Sequence, residues 1–325
     1  MSAKVLIPHY DALEKAVQNC GQVLNMDAGE SIFFARELER ILPEIVEDEY
    51  PELKSRTHFP IDATAHPADT SVTWRRWTAL GQAKIISDMA NDLPEVEISA
   101  DENTTPIRSI GISFGYSVQD IRASQKTGRS LDSEKGRLAR EAAMRLQDEI
   151  AYDGDSTFGL PGFLTNANIT EVTLANDGTG SSKLFANKTA DQIVRDLSAI
   201  AWGVFNSTKG RMQADSMLFS YTLWGKLNTM RIPDTNMTVM QFFRNANPQI
   251  TFVDYSHRLE TAGAGNATMT VAYKRTPDVL KMILPVDYET FPVQVKGFRF
   301  TVPGHMRFGG VIIKRPLGIA FADGA

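Results

Sequence analysis

The sequence predicts an α+β protein, and three observations carry that reading. Residues 131–150 place Leu131, Leu138, Ala142, Leu146 and Ile150 at helical spacing, with charged side chains over most of the remaining surface. Residues 109–118 alternate strictly between apolar Ile110, Ile112, Phe114, Tyr116 and Val118 and small Ser109, Gly111, Ser113, Gly115 and Ser117. Period two over that length is a strand signal. Residues 189–285 then mix helical and strand patterns as a separate α/β block does.

The long helix is about 30 Å of rod. It runs into Asp153-Gly154-Asp155 and then Gly159-Leu160-Pro161-Gly162-Phe163-Leu164. Leu160-Pro161-Gly162 reads as a turn, with proline setting φ at one central position and Gly162 supplying φ > 0 at the next.

Toward the N-terminus, residues 1–62 read as an arm with little core of its own. Its best helix starts near Asp27, three residues before Glu30 in a capping-box arrangement, and Pro43 kinks or ends it. Residues 70–118 read as a long hairpin. The outgoing side carries Val72, Trp74, Trp77, Leu80, Ile85 and Ile86, the middle is 88–101, and the alternating segment 109–118 returns. Trp74 and Trp77 are an odd number of residues apart, which implies a bulge or a strand covered on both faces. The Gly/Ser face of the returning side would admit close approach of another backbone or helix. Residues 70–86 extended span roughly 55 Å at about 3.3 Å per residue, against a radius of gyration of about 20 Å for a compact chain of this size. Such a hairpin either bends back into its own sheet or leaves the body, and a ribbon that leaves needs a second chain to lie on.

Beyond the spine, residues 175–182 form a turn region. Thr189 opens the clearest helix, with Gln192 completing a capping box. Ile193, Val194, Leu197, Ile200, Ala201, Val204 and Phe205 supply its apolar face. Strands are expected at 217–221, 250–254, 293–300 and 306–314, helices at 221–230 and 238–245, and a loop tip at 261–266.

Composition bounds the function. Hydrophobic content of 42% and charged content of 22% over 325 residues fit a globular protein able to bury a core. No apolar run approaches a membrane span, and the N-terminus lacks a secretory-signal pattern. The one cysteine, Cys20, excludes an internal disulfide framework and fits a reducing cytoplasm. Net charge is −5, and residues 1–60, with 11 acids and 6 bases, hold all of it. The chain therefore has no global attraction for DNA. Glu44, Glu47, Asp48, Glu49 and Glu52 are its dense part: a solvated helix face or, more sharply, a contact for a basic patch on a neighbour.

No catalytic or metal constellation emerges. His9, His58, His66, His257 and His305 show no metal-type spacing and read as surface or loop residues. Asp153 and Asp155 begin like a calcium loop, but Phe158 and Leu164 stand where glycine and glutamate are required. Gly178-Thr179-Gly180-Ser181-Ser182-Lys183 lacks the upstream glycine of a phosphate loop and is read as a turn. Adjacent Asp101 and Glu102 point to opposite faces of a strand and give no acid–base geometry. Trp202 and Trp224 read as core. Trp74, Arg75, Arg76 and Trp77 suit nucleic acid or a protein interface, and the acidic chain favours the interface.

The hairpin around Gly81-Gln82-Ala83-Lys84-Ile85-Ile86-Ser87-Asp88-Met89-Ala90-Asn91-Asp92-Leu93-Pro94, the segment 131–166 and the closing Gly309-Gly310-Val311-Ile312-Ile313-Lys314-Arg315-Pro316 resemble, in that order, tailed-phage major capsid proteins of the Hong Kong 97-type fold. Encapsulin shells share that fold. The resemblance implies an N-terminal arm (1–62), an extended hairpin loop (63–106), a peripheral domain (107–188 and 286–325) with a spine helix at 131–151, and an axial α/β domain (189–285). It implies a structural subunit, not an enzyme, forming pentamers and hexamers of an icosahedral shell around weakly held double-stranded DNA. Assembly is expected in the bacterial cytoplasm, with scaffold, portal or decoration proteins as further partners and without metal, cofactor or membrane. Trp74, Arg75, Arg76, Trp77, Lys84, Asp88, Asp92, Glu47, Asp48 and Glu49 become candidate inter-subunit residues. The arm is too short for a long fused scaffolding segment. Some shells of this fold join a loop lysine to a neighbour's asparagine; Lys84, Asn166 and Asn168 stand near those places, but nothing in their spacing supports a bond. Alternatives are an encapsulin-like compartment shell and an α/β enzyme with an unrecognised site.

Overall fold

The computed structural model describes residues 50–85, 94–127 and 131–324. In chain order the elements are α1 (Ser55–His58), β1 (Ile61–Asp62), β2 (Ser71–Leu80), β3 (Glu97–Pro106), β4 (Arg108–Ser117), α2 (Val118–Thr127), α3 (Leu131–Asp153), β5 (Thr170–Glu171) and α4 (Ala190–Ser207). After these come β6 (Ser216–Phe219), α5 (Tyr221–Thr229), α6 (Val239–Ala246), β7 (Phe252–Tyr255), β8 (Met269–Tyr273), β9 (Leu280–Ile283) and β10 (Val286–Thr290). The chain closes with β11 (Gln294–Lys296), β12 (Arg299–Phe308), β13 (Val311–Ile313) and β14 (Ile319–Asp323). Among the described residues no helix is long and apolar enough to cross a membrane. The expected helix at Asp27, its end at Pro43, Cys20 and His9 lie outside the described residues.

The largest sheet among the described residues is the five-stranded β5-β14-β8-β6-β7. Its inner strands β14, β8 and β6 are almost wholly buried because both faces are covered. Met217, Phe219, Ala272, Ala320 and Ala322 face a core closed by α4, α5 and α6. The alternate residues Leu218, Val271, Tyr273, Ile319 and Phe321 face a second core under the end of α3. The capping box at Thr189 and Gln192 is formed, and Ile193, Leu197, Ile200 and Val204 are buried as their spacing requires. The sheet crosses the sequence boundaries at 188 and 285, because β5 and β14 pair with each other and β14 lies beside β8. Those boundaries followed local periodicity, which cannot show that the last strand returns to the middle of an earlier sheet.

Helix α3 is present, but it buries a different face from the expected stripe. Leu138 and Leu146 are 50% and 42% exposed, whereas Ala139, Ala143, Gln147, Asp148, Ile150, Ala151 and Tyr152 are buried. Alanines at 139, 143 and 151 stand on the buried face, and α3 runs over β4, where a Cβ at Gly136 would make ordinary contact with the Phe114 ring at 3.6 Å. Gly154 ends the helix at φ 72°. The positive φ expected at Gly162 falls instead at Gly154 and at Gly159, φ 70°. Gly162 is required for another reason, since a Cβ there would meet the Gly154 nitrogen at 2.3 Å. The loop crosses back over the helix end, where Phe163 and Leu164 donate their amides to the carbonyls of Ala151 and Tyr152 at 2.9 and 2.8 Å.

The alternating segment is β4, and its partner is β12 over ten consecutive positions rather than the outgoing side of the hairpin. Strands β10 and β11 share the other edge of β12. The expected strand 293–300 is two strands turned at Gly297, φ 62°, and the expected strand 306–314 breaks at Gly309 and Gly310. The small-residue face of β4 stays open at Ser109, Gly111 and Ser113, while Ile110 and Ile112 pack on the core.

Candidate inter-subunit surface

Strands β2 and β3 pair without interruption from Ser71 with Pro106 to Leu80 with Glu97. The hairpin therefore returns at 97–106, earlier than expected, and no bulge separates Trp74 from Trp77. Ile107 then donates its amide to the Thr70 carbonyl at 2.9 Å and is buried beside Ile283 and Ile312. Val72 and Trp74 pack on the same cluster and root the ribbon.

Beyond the root both faces are open. Trp77 is 73% exposed, and Leu80, Val96 and Ile98 are 55%, 71% and 67% exposed. Cross-strand polar pairs hold the register: Thr73 and Thr104 share a hydrogen bond of 2.8 Å, Arg75 donates to Glu102 at 2.7 Å and Arg76 to Asp101 at 3.2 Å. Exposed pairs of this kind contribute at most about 1 kcal/mol each. A two-stranded ribbon held this way is marginal by itself, and its described apolar side chains beyond the root stay exposed.

Of the ten candidate interface residues, Trp74, Arg75, Arg76 and Trp77 stand together on β2. Lys84 is exposed near the far end. Asp88, Asp92, Glu47, Asp48 and Glu49 lie outside the described residues. The sequence reading missed three cations that the fold brings to the same place. Arg211, Lys314 and Arg315 line a cleft of about 540 Å³ with Trp74 to Trp77. Arg211 is about a hundred residues from the adjacent Lys314 and Arg315, all three are far in sequence from β2, and no local pattern links them.

The reading of the histidines as surface residues fails at His58, which is fully buried. Its Nδ1 meets the Tyr152 hydroxyl and its Nε2 lies 3.2 Å from Asp254. Burial lowers its pKa, with Asp254 opposing. Lys54 donates to the same Asp254 at 2.7 Å, and the Ser55 amide donates to Asp148 at 2.9 Å. The cluster clamps α1 between α3 and β7. A one-turn helix has no periodicity to reveal it. The assignment of Trp202 to the core also fails in part, since it is 39% exposed. Among the described residues no group of His, Cys, Asp or Glu could hold a metal ion.

A body with a large shared sheet, a long spine helix and a projecting ribbon is the fold of Hong Kong 97-type phage capsids. The model of the major capsid protein family matches residues 81–325, and the chain belongs to that family. The capsid of Myoviridae phage XM1 superposes with a TM-score of 0.78 at 18% identity, over 91% of this chain and 99% of that one. The Mycobacterium phage Ogopogo structure gives 0.61 at 11% identity, over 90% and 99%. A virus-like particle from Pyrococcus furiosus gives 0.51 at 12%, over 83% and 93%. No curated protein matches the sequence. The chain is thus a structural subunit of a phage capsid, and the compartment-shell alternative is the weaker of the two, in line with the lower likeness to the virus-like particle.

Proposed function

We propose that the protein forms pentamers and hexamers that close into an icosahedral capsid around double-stranded DNA. The observation that carries this reading is the ten-pair ribbon β2/β3, which leaves its own body with both faces exposed. On this reading residues 63–106 are the extended loop lying on a neighbour, α3 is the spine of a peripheral domain and 189–285 make most of the axial domain. Strand β14 is then shared between the two. Residues 1–62 are the arm that reaches an adjacent subunit. Each contact is weak alone, but two on one subunit multiply through effective concentration. The near-neutral body suits packed DNA, because a strongly basic lining would hold the genome tightly. Scaffold, portal or decoration proteins are further partners, with assembly in the host cytoplasm.

The subunit has no catalytic role on this reading. The His58–Tyr152–Asp254 cluster resembles an acid–base group, but His58 is sealed from substrate. Negative-stain microscopy of the purified protein tests the proposal. Closed particles, pentamers or hexamers are expected, and a stable monomer at high concentration would overturn it.

A further inference from the structure

The cleft at the hairpin root gathers five cationic side chains, Arg75, Arg76, Arg211, Lys314 and Arg315. Arg75 and Arg76 lean on Glu102 and Asp101 across the ribbon. Arg211, Lys314 and Arg315 form no ion pair with any described carboxylate, and Asp278 is the one acid lining the cleft. Burial pushes the Lys314 ammonium below the ordinary lysine range, and neighbouring Lys281 and Arg315 push it further. Like charges gathered at one place repel unless a partner neutralises them. Trp74 and Trp77 beside them supply the flat apolar surface typical of interface anchors.

The partner's chemistry follows from where the opposite charge lies. All of the net charge of −5 is carried by residues 1–60, with Glu44, Glu47, Asp48 and Glu49 at its densest point. We propose that this cleft receives the acidic segment 44–49 of a second copy of the chain. The pairing rests on the capsid-assembly reading above, in which each body is surrounded by neighbours' arms. It places carboxylates against arginines and a lysine next to tryptophan faces, an arrangement that fixes register and disfavours wrong partners. A nucleic-acid backbone is the competing occupant, and the test separates it.

Two measurements on the full chain decide. Zero-length carbodiimide coupling of a mixture of unlabelled and nitrogen-15 subunits joins touching carboxylates to lysine. The expected product links a peptide containing Glu47, Asp48 or Glu49 to one containing Lys314, with the two isotopes mixed. Same-isotope links alone, or no such link, would overturn the pairing, and this readout holds in any oligomer. In parallel, Glu47→Lys with Asp48→Lys and Glu49→Lys should cut particle yield at least about tenfold, as should Arg211→Glu with Arg315→Glu. Co-expression of the two reversed chains should restore particles, because only contacts between copies then match. The idea is wrong if each reversed chain assembles like wild type, if co-expression rescues nothing while both chains give native circular dichroism, or if the cleft reversal lowers only DNA content. Failure of wild type to assemble would instead sink the capsid reading, leaving the cross-link to judge the pairing.

Discussion

Gly162 and Gly225 show how differently two glycines act. A Cβ at Gly162 would meet backbone atoms of Asp153 and Gly154 at 2.5 and 2.3 Å, so the loop would have to leave the helix end. Gly162→Ala should cost about 3 kcal/mol, in the range of overpacking strain. Gly225 lies inside α5 with nothing within 4 Å of its would-be Cβ, so Gly225→Ala should stabilise by about 1 kcal/mol. Thermal melting of the two variants would show opposite signs. His58 gives a pH prediction. Its folded pKa lies below its ordinary 6.5, so the unfolded chain takes the proton first. That contribution is whole above 6.5 and is lost as pH falls toward the folded value. The groups around His58 are Lys54, Asp148, Tyr152 and Asp254. His257, lowered by burial and Arg258, adds the same sign. His58→Gln should therefore flatten, without abolishing, the fall in melting temperature as pH drops below 6.5; an unchanged slope would refute the assignment. The carboxylates contribute lower down: burial alone would raise Asp62, but hydrogen bonds from Lys281 and Thr64 outweigh it and bring its pKa to about 2.

At the scale of elements, the ribbon β2/β3 contrasts with β4/β12. Both are ten-residue antiparallel pairs, yet β12 buries alternate residues and β2/β3 buries almost none beyond Val72 and Trp74. The ribbon therefore adds little to the stability of its own subunit. Joining Leu80 to Glu97 by a two-residue turn should leave the melting temperature within about 2 °C of wild type, because the described residues it removes, 81–85 and 94–96, are exposed. The same variant should be soluble and form no particles, as sedimentation would show. Wild-type-like particles would remove the ribbon from the interface. Helix α3 carries no basic residue in its last turn, but Arg258 supplies a cation there, 3.3 Å from Asp153.

For the whole molecule, the β5-β14-β8-β6-β7 sheet decides cooperativity. Its two faces belong to different cores, so neither core survives without the other. Calorimetry should record one unfolding transition, not separate axial and peripheral ones. Met217→Ala and Leu218→Ala, on opposite faces of β6, should lower that same transition by about 2–5 kcal/mol each. Two transitions, with only one moved by each variant, would show that the cores unfold independently. For a shell subunit such coupling makes α3 and the block of α4, α5 and α6 respond as one body.

Sequence alone determined the pieces whose cause is local. The helix opened by Thr189 and Gln192, the long helix expected over 131–151, the alternating strand expected at 109–118 and the order of segments are written in periodicity and capping, which act within a few residues. Tertiary structure decided what those pieces touch. It turned α3 so that alanines rather than Leu138 and Leu146 face the sheet, and gave β4 to β12 instead of β2. It returned β14 to a sheet whose first strand, β5, lies about 150 residues earlier, buried His58, and gathered Arg211, Lys314 and Arg315 beside Trp74. These outcomes depend on which surfaces remain to be covered once the chain has collapsed. Burial is a property of the whole body, and no window of residues contains it.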